Sequence, residues 1–306
     1  MRRLLMLVLL VGCGDDSTAA MVDAAPDLDA GFDSGADASS EDATVPDAAD
    51  DAGDVDAGSD TGIGEGSAGC GNAPAIATGE FVPGTLDVGG ESRDWFVWLP
   101  DGYDPERAYP VVYQFHGCSD NPARENNNVP VQRESGSDAI HVRGRAVERC
   151  WDTSADGPDV AFFDAMVAEI EATYCADPAR RFATGYSSGG FMSHRLACVR
   201  GDVLAGVATI GGAQGGNGCA GTVGALLIHD ADDGVVNVMQ SIRARDAHLE
   251  RNGCEATTMP TDPDPCVRYD GCAGETPVVW CETSGMGHSR QDAFAAPAFW
   301  GFLRSL

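Results

Sequence analysis

Alternating strand and helix patterns dominate the chain from residue 70 to residue 306. Short apolar runs bounded by turn residues, such as YPVVYQFHG, AGVATIGG and ALLIHD, are typical of strands that are buried on both faces. Between such runs lie segments whose apolar residues have helical spacing, such as DVAFFDAMVAEIEATY. Strands that alternate with helices favour a mainly parallel sheet covered by helices on both faces. The sequence therefore predicts one α/β domain over residues 70–306.

Residues 1–13 have the layout of a secretory signal peptide. Two arginines precede a short apolar run, and a glycine and Cys13 follow it. The run is too short to span a bilayer. The stretch LVGC resembles a bacterial lipoprotein signal, which implies that Cys13 becomes a lipidated N-terminus and that the protein is exported and held at a membrane. An ordinary secretion signal with an incidental cysteine is the alternative.

Residues 14–69 are built mainly from Asp, Ala, Gly and Ser, with few bulky apolar groups. Such a composition buries too little apolar surface to offset the entropy of ordering, so we predict a disordered linker. The segment has no Lys or Arg and holds 16 acidic residues, which is more than half of the chain's net charge of -29. Because phosphate binding needs a basic face, nucleic acid is not an expected partner.

The cysteine count also favours export. Of 11 cysteines, ten remain if Cys13 carries lipid. An even set in an exported chain is typical of disulfides formed in an oxidising compartment. The pairing stays open: Cys175 and Cys198 flank one predicted strand and helix and could be joined, but other pairs fit the spacing equally well. No Cys-x-x-Cys pair or calcium-loop spacing is present, so we predict no metal site.

Ser187 lies in the stretch ATGYSSGGF, between the strand RFATGY and the helix SGGFMSHRLACVR. A Gly-x-Ser-x-Gly pattern at a strand-to-helix turn lets the backbone bend sharply and exposes the serine hydroxyl. Ser188 is the competing serine, but it lacks glycines two residues before and two residues after. The context predicts that Ser187 is a catalytic nucleophile, which then needs a base, an acid and donors for the oxyanion.

The acid and the base are expected in loops that follow later strands. After ALLIHD come three aspartates, Asp230, Asp232 and Asp233, and after TPVVWCETSG comes His288 in a glycine-flanked turn. We interpret four other histidines as structural or surface residues: His141, His194, His229 and His248. For the oxyanion we predict the backbone N–H of Ser188 and that of Cys118, which follows the strand VVYQF in the loop HGCSD.

From Cys70 to the C-terminus the chain resembles the feruloyl esterase and polyhydroxyalkanoate depolymerase-like branch of the α/β-hydrolases, a group like carbohydrate esterase family 1. The stretches that carry the resemblance are LPDGYDPERAYPVVYQFHGC, CWDTSADGPDVAFFDAM, ARRFATGYSSGGFMSHRLACVR, LLIHDADDGVVN and SGMGHS. It implies Ser187 as nucleophile, His288 as base and Asp233 as acid. Asp230 stands where that turn often has glycine, and Gly234 where it often has proline, so Asp230 and Asp232 remain alternatives for the acid.

The resemblance implies a serine esterase that hydrolyses feruloyl or acetyl esters of plant polysaccharide through an acyl-enzyme, without a metal or an organic cofactor. Three alternatives remain within the enzymes: a polyhydroxyalkanoate depolymerase, a short-chain ester hydrolase, and a serine peptidase of the same fold. An inactive hydrolase-like binding module on a long tether is the alternative from another class.

Overall fold

A sheet of ten strands forms the centre of the protein, in the order β1-β2-β4-β3-β5-β6-β7-β10-β9-β8. The computed structural model describes residues 66–119, 127–214 and 219–306, all of which belong to one compact unit. The predicted signal peptide 1–13, with Cys13, and the linker as far as residue 65 lie outside the described residues. In the part of the chain that is described, none of the helices combines the length and apolar character needed to cross a membrane.

The strands are β1 Phe81–Val88, β2 Glu91–Trp98, β3 Tyr109–Phe115, β4 Ile140–Gly144, β5 Ala176–Tyr186, β6 Gly206–Ile210, β7 Gly224–Asp230, β8 Thr258–Pro260, β9 Cys266–Tyr269 and β10 Val278–Thr283. The helices are α1 Gln132–Ser135, α2 Pro158–Thr173, α3 Ser188–Val199, α4 Val238–Asn252 and α5 Asp292–Leu303. The α/β architecture predicted from the sequence is confirmed.

Six central strands, β4, β3, β5, β6, β7 and β10, run parallel to one another. Their residues alternate between two buried apolar clusters, as Val111 and Val112 of β3 do, because successive side chains of a strand point to opposite faces. One cluster packs against α2 and α3, and the other packs against α5. Both faces of the sheet are therefore covered, which explains the apolar runs in strands such as β3 and β7.

The outer strands are antiparallel. The hairpin of β1 and β2 closes at Val88 and Glu91, and β2 joins the sheet through β4. At the other edge, β9 pairs antiparallel with β10 and β8 with β9. No prediction covered β8 and β9, because they are short and polar and show neither an apolar run nor a clear alternation.

The ordered domain begins before the predicted boundary at Cys70. Ser67 N–H donates to the Ala176 carbonyl at 2.8 Å, and Gly69 N–H donates to the Glu171 carbonyl at 2.8 Å. The assignment of residues 66–69 to a disordered linker is therefore wrong, since these hydrogen bonds attach them to the start of β5 and to α2. Their composition resembles that of the linker, and only the fold distinguishes them from it.

Five disulfides join the ten cysteines other than Cys13: Cys70–Cys175, Cys118–Cys150, Cys198–Cys219, Cys254–Cys272 and Cys266–Cys281. Cys175 and Cys198 are each bonded to another partner, so the bond between them that spacing allowed is not formed. Five disulfides are typical of a chain exported to an oxidising compartment.

Candidate active site

Ser187 occupies the sharp turn between β5 and α3, with φ 54° and ψ -119°. A non-glycine residue with positive φ is uncommon and is strained unless its surroundings hold it. Close packing does this here: a Cβ atom at Gly189 would overlap the Phe115 carbonyl oxygen, and one at Gly185 would overlap the backbone of Gly189. The glycines on both sides of the serine are therefore needed for the turn, and they expose the Ser187 hydroxyl at the end of the sheet.

Ser187, His288 and Asp233 form one hydrogen-bonded series. His288 Nε2 lies 3.0 Å from Ser187 Oγ, and His288 Nδ1 lies 2.7 Å from Asp233 Oδ2. The three residues follow β5, β10 and β7, whose carboxyl ends meet at the same edge because these strands are parallel. With a proton on Nδ1, His288 donates to the carboxylate, and its Nε2 accepts from the serine hydroxyl. The serine, histidine and aspartate predicted from the sequence are brought together in this arrangement.

The carboxylate of Asp233 is nearly inaccessible, with 1 % of its side chain exposed. Its Oδ1 accepts the N–H groups of Val235 and Val236, both at 2.8 Å. Burial acts to raise the pKa of Asp233, but the hydrogen bonds from His288 and from these two backbone groups outweigh it and hold the pKa below its ordinary value. Asp233 is therefore ionised at neutral pH, as a group that orients a histidine must be.

The two alternative aspartates hold the loop of His288 and do not contact its ring. Asp230 accepts the N–H groups of Met286 at 3.0 Å and of Gly287 at 3.1 Å. Asp232 accepts the N–H of Gly285 at 2.8 Å. Burial acts to raise the pKa of Asp230 as well, and its backbone donors again outweigh it, so the pKa is lowered. Asp230 thus has a structural role that no sequence pattern marks.

Ser188 and Cys118 lie beside Ser187 in the wall of one cavity. Ser188 is the first residue of α3, where an N–H group has no acceptor within the helix. Within residues 66–119, 127–214 and 219–306, neither the Ser188 N–H nor the Cys118 N–H donates a hydrogen bond. Both residues thus lie at the cavity that contains Ser187, and their role as oxyanion donors stays a prediction.

Trp151 attaches the Cys118–Cys150 disulfide to the serine turn. Its backbone N–H donates to Ser188 Oγ at 2.9 Å, and its indole N–H donates to the His116 carbonyl at 2.9 Å. Trp151 follows Cys150 directly, so the disulfide, the indole and the start of α3 form one connected unit. The sequence CWDTSADGP does not reveal this role of Trp151, because the contacts of the tryptophan depend on distant parts of the chain.

Tyr186 contacts both the backbone and the ring of His288. Its hydroxyl donates to the His288 carbonyl at 3.2 Å, and the two ring centres lie 5.2 Å apart. Burial raises the pKa of the Tyr186 hydroxyl, and the negative charge of Asp233 adds to this effect. The hydroxyl therefore remains a protonated donor at neutral pH. No sequence motif marks this role, although Tyr186 directly precedes the nucleophile position.

The cavity in front of Ser187 has a volume of about 610 Å³. Aromatic and aliphatic side chains form much of its wall: Trp151, Tyr186, Phe191, Val235 and Val236. Such a volume and lining are usual for sites that bind small organic groups. No group of three or more His, Cys, Asp or Glu residues suited to a metal ion occurs in the described parts of the chain.

Three of the histidines interpreted as structural or surface residues are buried away from the triad. His141 contacts Gln114 at 2.9 Å, and His194 contacts His248 at 3.1 Å. Burial lowers the pKa of both His141 and His194 to about 3. His229 differs from them, because its ring is fully buried and its Nε2 lies 3.4 Å from Asp233 Oδ2.

The mainly parallel sheet and the serine at its strand-to-helix turn, with an acid after β7 and a histidine after β10, define an α/β-hydrolase. No family model matches the sequence. Feruloyl esterase D of Neurospora crassa is 30% identical over 263 residues, covering 78% of this chain and 89% of that protein. The chain belongs to the feruloyl esterase family, and it is a carboxylic ester hydrolase.

Other comparisons agree with this assignment. Feruloyl esterase C of Emericella nidulans is 33% identical over 209 residues, which cover 64% of this chain and 73% of that protein. Among solved structures, an acetyl xylan esterase from Aspergillus awamori has a TM-score of 0.56 at 15% identity and covers 73% of this chain and 100% of its own. A ferulic acid esterase from Anaeromyces mucronatus has a TM-score of 0.52 at 18% identity, with 76% and 92% covered. These structures show the same fold.

Proposed function

We propose that this protein hydrolyses feruloyl or acetyl esters of plant polysaccharide, with Ser187 as nucleophile, His288 as general base and Asp233 as the acid that orients it. The observation that carries the proposal is the series of contacts at 3.0 Å and 2.7 Å beside a cavity of about 610 Å³. The substrate class is supported by the relatives, which are named feruloyl esterases.

The reaction follows from the directions of these hydrogen bonds. His288 Nε2 removes the hydroxyl proton as Ser187 Oγ attacks the ester carbonyl, and Asp233 stabilises the imidazolium that forms. The N–H groups of Ser188 and Cys118 hold the negative oxygen of the tetrahedral intermediate. His288 then protonates the leaving alcohol. Water hydrolyses the acyl-enzyme by the same route, and the serine is regenerated.

The cavity favours an aromatic acyl group over an acetyl group. Tyr186 and Phe191, which are partly exposed, line the space in front of Ser187, and flat rings pack well against such aromatic side chains. An acetyl group would leave most of the cavity to water. One neighbouring structure, the esterase from Anaeromyces mucronatus, is described in complex with ferulic acid. We therefore expect feruloyl esters to be turned over with a higher kcat/KM than acetyl esters.

The decisive experiment compares three substrates on the protein purified under oxidising conditions: methyl ferulate, a short p-nitrophenyl ester and a hydroxybutyrate oligomer. Ser187→Ala should abolish turnover of every substrate that the wild type accepts. Ser188→Ala keeps the backbone N–H and removes only the competing hydroxyl, so its activity should fall much less. Equal activity in Ser187→Ala and the wild type would contradict the assignment of the nucleophile.

Three of the alternative functions each have their own outcome in this comparison. Preference for the hydroxybutyrate oligomer would indicate a depolymerase, and activity on the p-nitrophenyl ester alone would indicate a short-chain ester hydrolase. A wild type that is inert towards all three, although folded and disulfide-bonded, would favour a binding module.

Membrane attachment through lipid on Cys13 is also a proposal, supported by the LVGC stretch alone. Cys13→Ser should move the protein from the detergent phase to the aqueous phase in a detergent partition of expressing bacteria. A wild type already found in the aqueous phase would contradict the anchor and favour plain secretion.

A further inference from the structure

His229 is a second histidine beside the acid of the proposed triad. It is the penultimate residue of β7, and its side chain is fully buried. Its Nδ1 lies 2.6 Å from the hydroxyl of Ser241, and its Nε2 lies 2.9 Å from the Val236 carbonyl oxygen. The same Nε2 lies 3.4 Å from Asp233 Oδ2, the oxygen that accepts from His288. Asp233 is thus placed between two histidines.

The partners of His229 define where its proton lies. Nε2 faces a carbonyl oxygen and a carboxylate oxygen, both of which only accept hydrogen bonds, so Nε2 must carry a hydrogen. Nδ1 faces a hydroxyl, which can donate to it. In the neutral ring, Ser241 O–H therefore donates to Nδ1, and Nε2–H donates to the Val236 carbonyl while its dipole points towards Asp233 Oδ2.

Val236 connects this ring to the acid. Its carbonyl is held by His229, and its N–H donates to Asp233 Oδ1 at 2.8 Å. His229 therefore fixes the carbonyl group of Val236, and the N–H group of the same residue orients the carboxylate of Asp233. Helix α4 supplies the outer support, because Ser241 lies on that helix and fixes the far side of the imidazole ring.

We propose that His229 is a positioning residue for the esterase reaction, which holds Asp233 in line with His288 by anchoring the Val236 segment. The inference rests on the proposed function, since it concerns the acid of the proposed triad. His229 does not touch the substrate cavity and takes no proton from Ser187. Its effect reaches the reaction through the contact between Asp233 and His288.

The test compares two substitutions of the same residue. His229→Gln keeps a donor that reaches the position of Nε2, whereas His229→Asn is too short to reach the Val236 carbonyl. We expect His229→Asn to lower kcat about 10- to 100-fold at unchanged KM, because small displacements of reacting groups have effects of this size. His229→Gln should restore kcat to within about threefold of the wild type. His141→Gln is the control, because His141 is equally buried but contacts Gln114 and Ser135.

A second readout needs no turnover. The Nδ1 proton of His288, hydrogen-bonded to Asp233, should give an NMR signal far downfield of the amide protons. It should broaden or vanish in His229→Asn and persist in His229→Gln and His141→Gln.

The outcomes separate the two proposals. An unchanged Nδ1 signal of His288 in His229→Asn would overturn the positioning role. A wild type that hydrolyses no ester, together with the expected NMR changes, would overturn the proposed function and leave the role of His229 standing.

Discussion

Asp230 and Met286 are joined by a hydrogen bond of 3.0 Å from the Met286 N–H to Asp230 Oδ2, which attaches the loop of His288 to the end of β7. The neighbouring N–H of Gly287 reaches the other carboxylate oxygen at 3.1 Å. Two aspartates in one turn thus have different tasks, because Asp233 contacts the imidazole ring and Asp230 holds the backbone beside it.

Substituting asparagine for Asp233 or for Asp230 should distinguish the contact with the imidazole ring from the support of the His288 loop. Asp233→Asn should lower kcat by about 10⁴-fold and leave the melting temperature nearly unchanged, because the triad acid orients and stabilises the histidine. Asp230→Asn should lower kcat by only about tenfold but cost about 1–3 kcal/mol of unfolding free energy, since a buried acceptor is lost. Steady-state kinetics and denaturant unfolding of both variants check this. A greater loss of kcat in Asp230→Asn would make Asp230 the acid.

The contribution of Asp230 to stability should depend on pH. Its pKa is lowered in the folded protein, so its stabilising effect is complete above the unfolded value of about 3.9 and is lost as the pH falls through the lower folded value. The difference in unfolding free energy between the wild type and Asp230→Asn should be constant above about pH 5 and shrink in more acidic solution. Urea unfolding at a series of pH values measures it. A difference that grows on acidification would contradict the lowered pKa.

The Cys118–Cys150 disulfide should support catalysis as well as stability. Replacing both cysteines by alanine should cost about 3–4 kcal/mol, as expected from a separation of 32 residues, and lower kcat about 10- to 100-fold by loosening an oxyanion donor. The matched control is the double alanine variant of Cys254 and Cys272, which are 18 residues apart and do not line the cavity. It should lose about 3 kcal/mol and keep its kcat. Equal kcat losses in both double variants would contradict a local role.

Buried His141 should destabilise the fold in mild acid. Its folded pKa is about 3, so the unfolded chain takes up a proton below about pH 6.5 while the folded ring stays neutral. The advantage of the wild type over His141→Gln should therefore shrink between pH 7 and pH 4 by about 3 kcal/mol. Denaturant unfolding at these two pH values provides the measurement. A constant advantage would show that His141 titrates in the folded state as it does in the unfolded chain.

Much of the fold could be predicted because central strands and helices carry local patterns. β3 and β7 are buried throughout and consist mainly of apolar residues, and the turn at Ser187 is marked by glycines that the backbone geometry requires. β9 has no such pattern, because it is held by pairing with β10 and by the Cys266–Cys281 disulfide across that pair. Its existence depends on contacts between distant parts of the chain.

In the candidate active site, too, some residues have a local sequence pattern and others depend on contacts between distant parts of the chain. Ser187 and His288 lie in short glycine-containing turns that can be read locally, whereas the choice among three neighbouring aspartates depends on which one the fold turns towards His288. Tyr186, Trp151 and His229 act through partners that are 102, 37 and 4 residues away, respectively. Even the separation of four residues does not predict the contact between His229 and Asp233, because these side chains meet only when the loop after β7 folds back onto that strand.

Strand β7 pairs directly with β10, although the residues that follow them, Asp233 and His288, are 55 positions apart in the chain. The hairpin of β8 and β9 lies within this interval, at the outer edge of the sheet. Asp233 and His288 are therefore brought together by the pairing of β7 with β10, and the β8–β9 hairpin takes no part in that pairing. An insertion between β8 and β9 would therefore lengthen the outer edge of the sheet and leave the pairing of β7 with β10 intact.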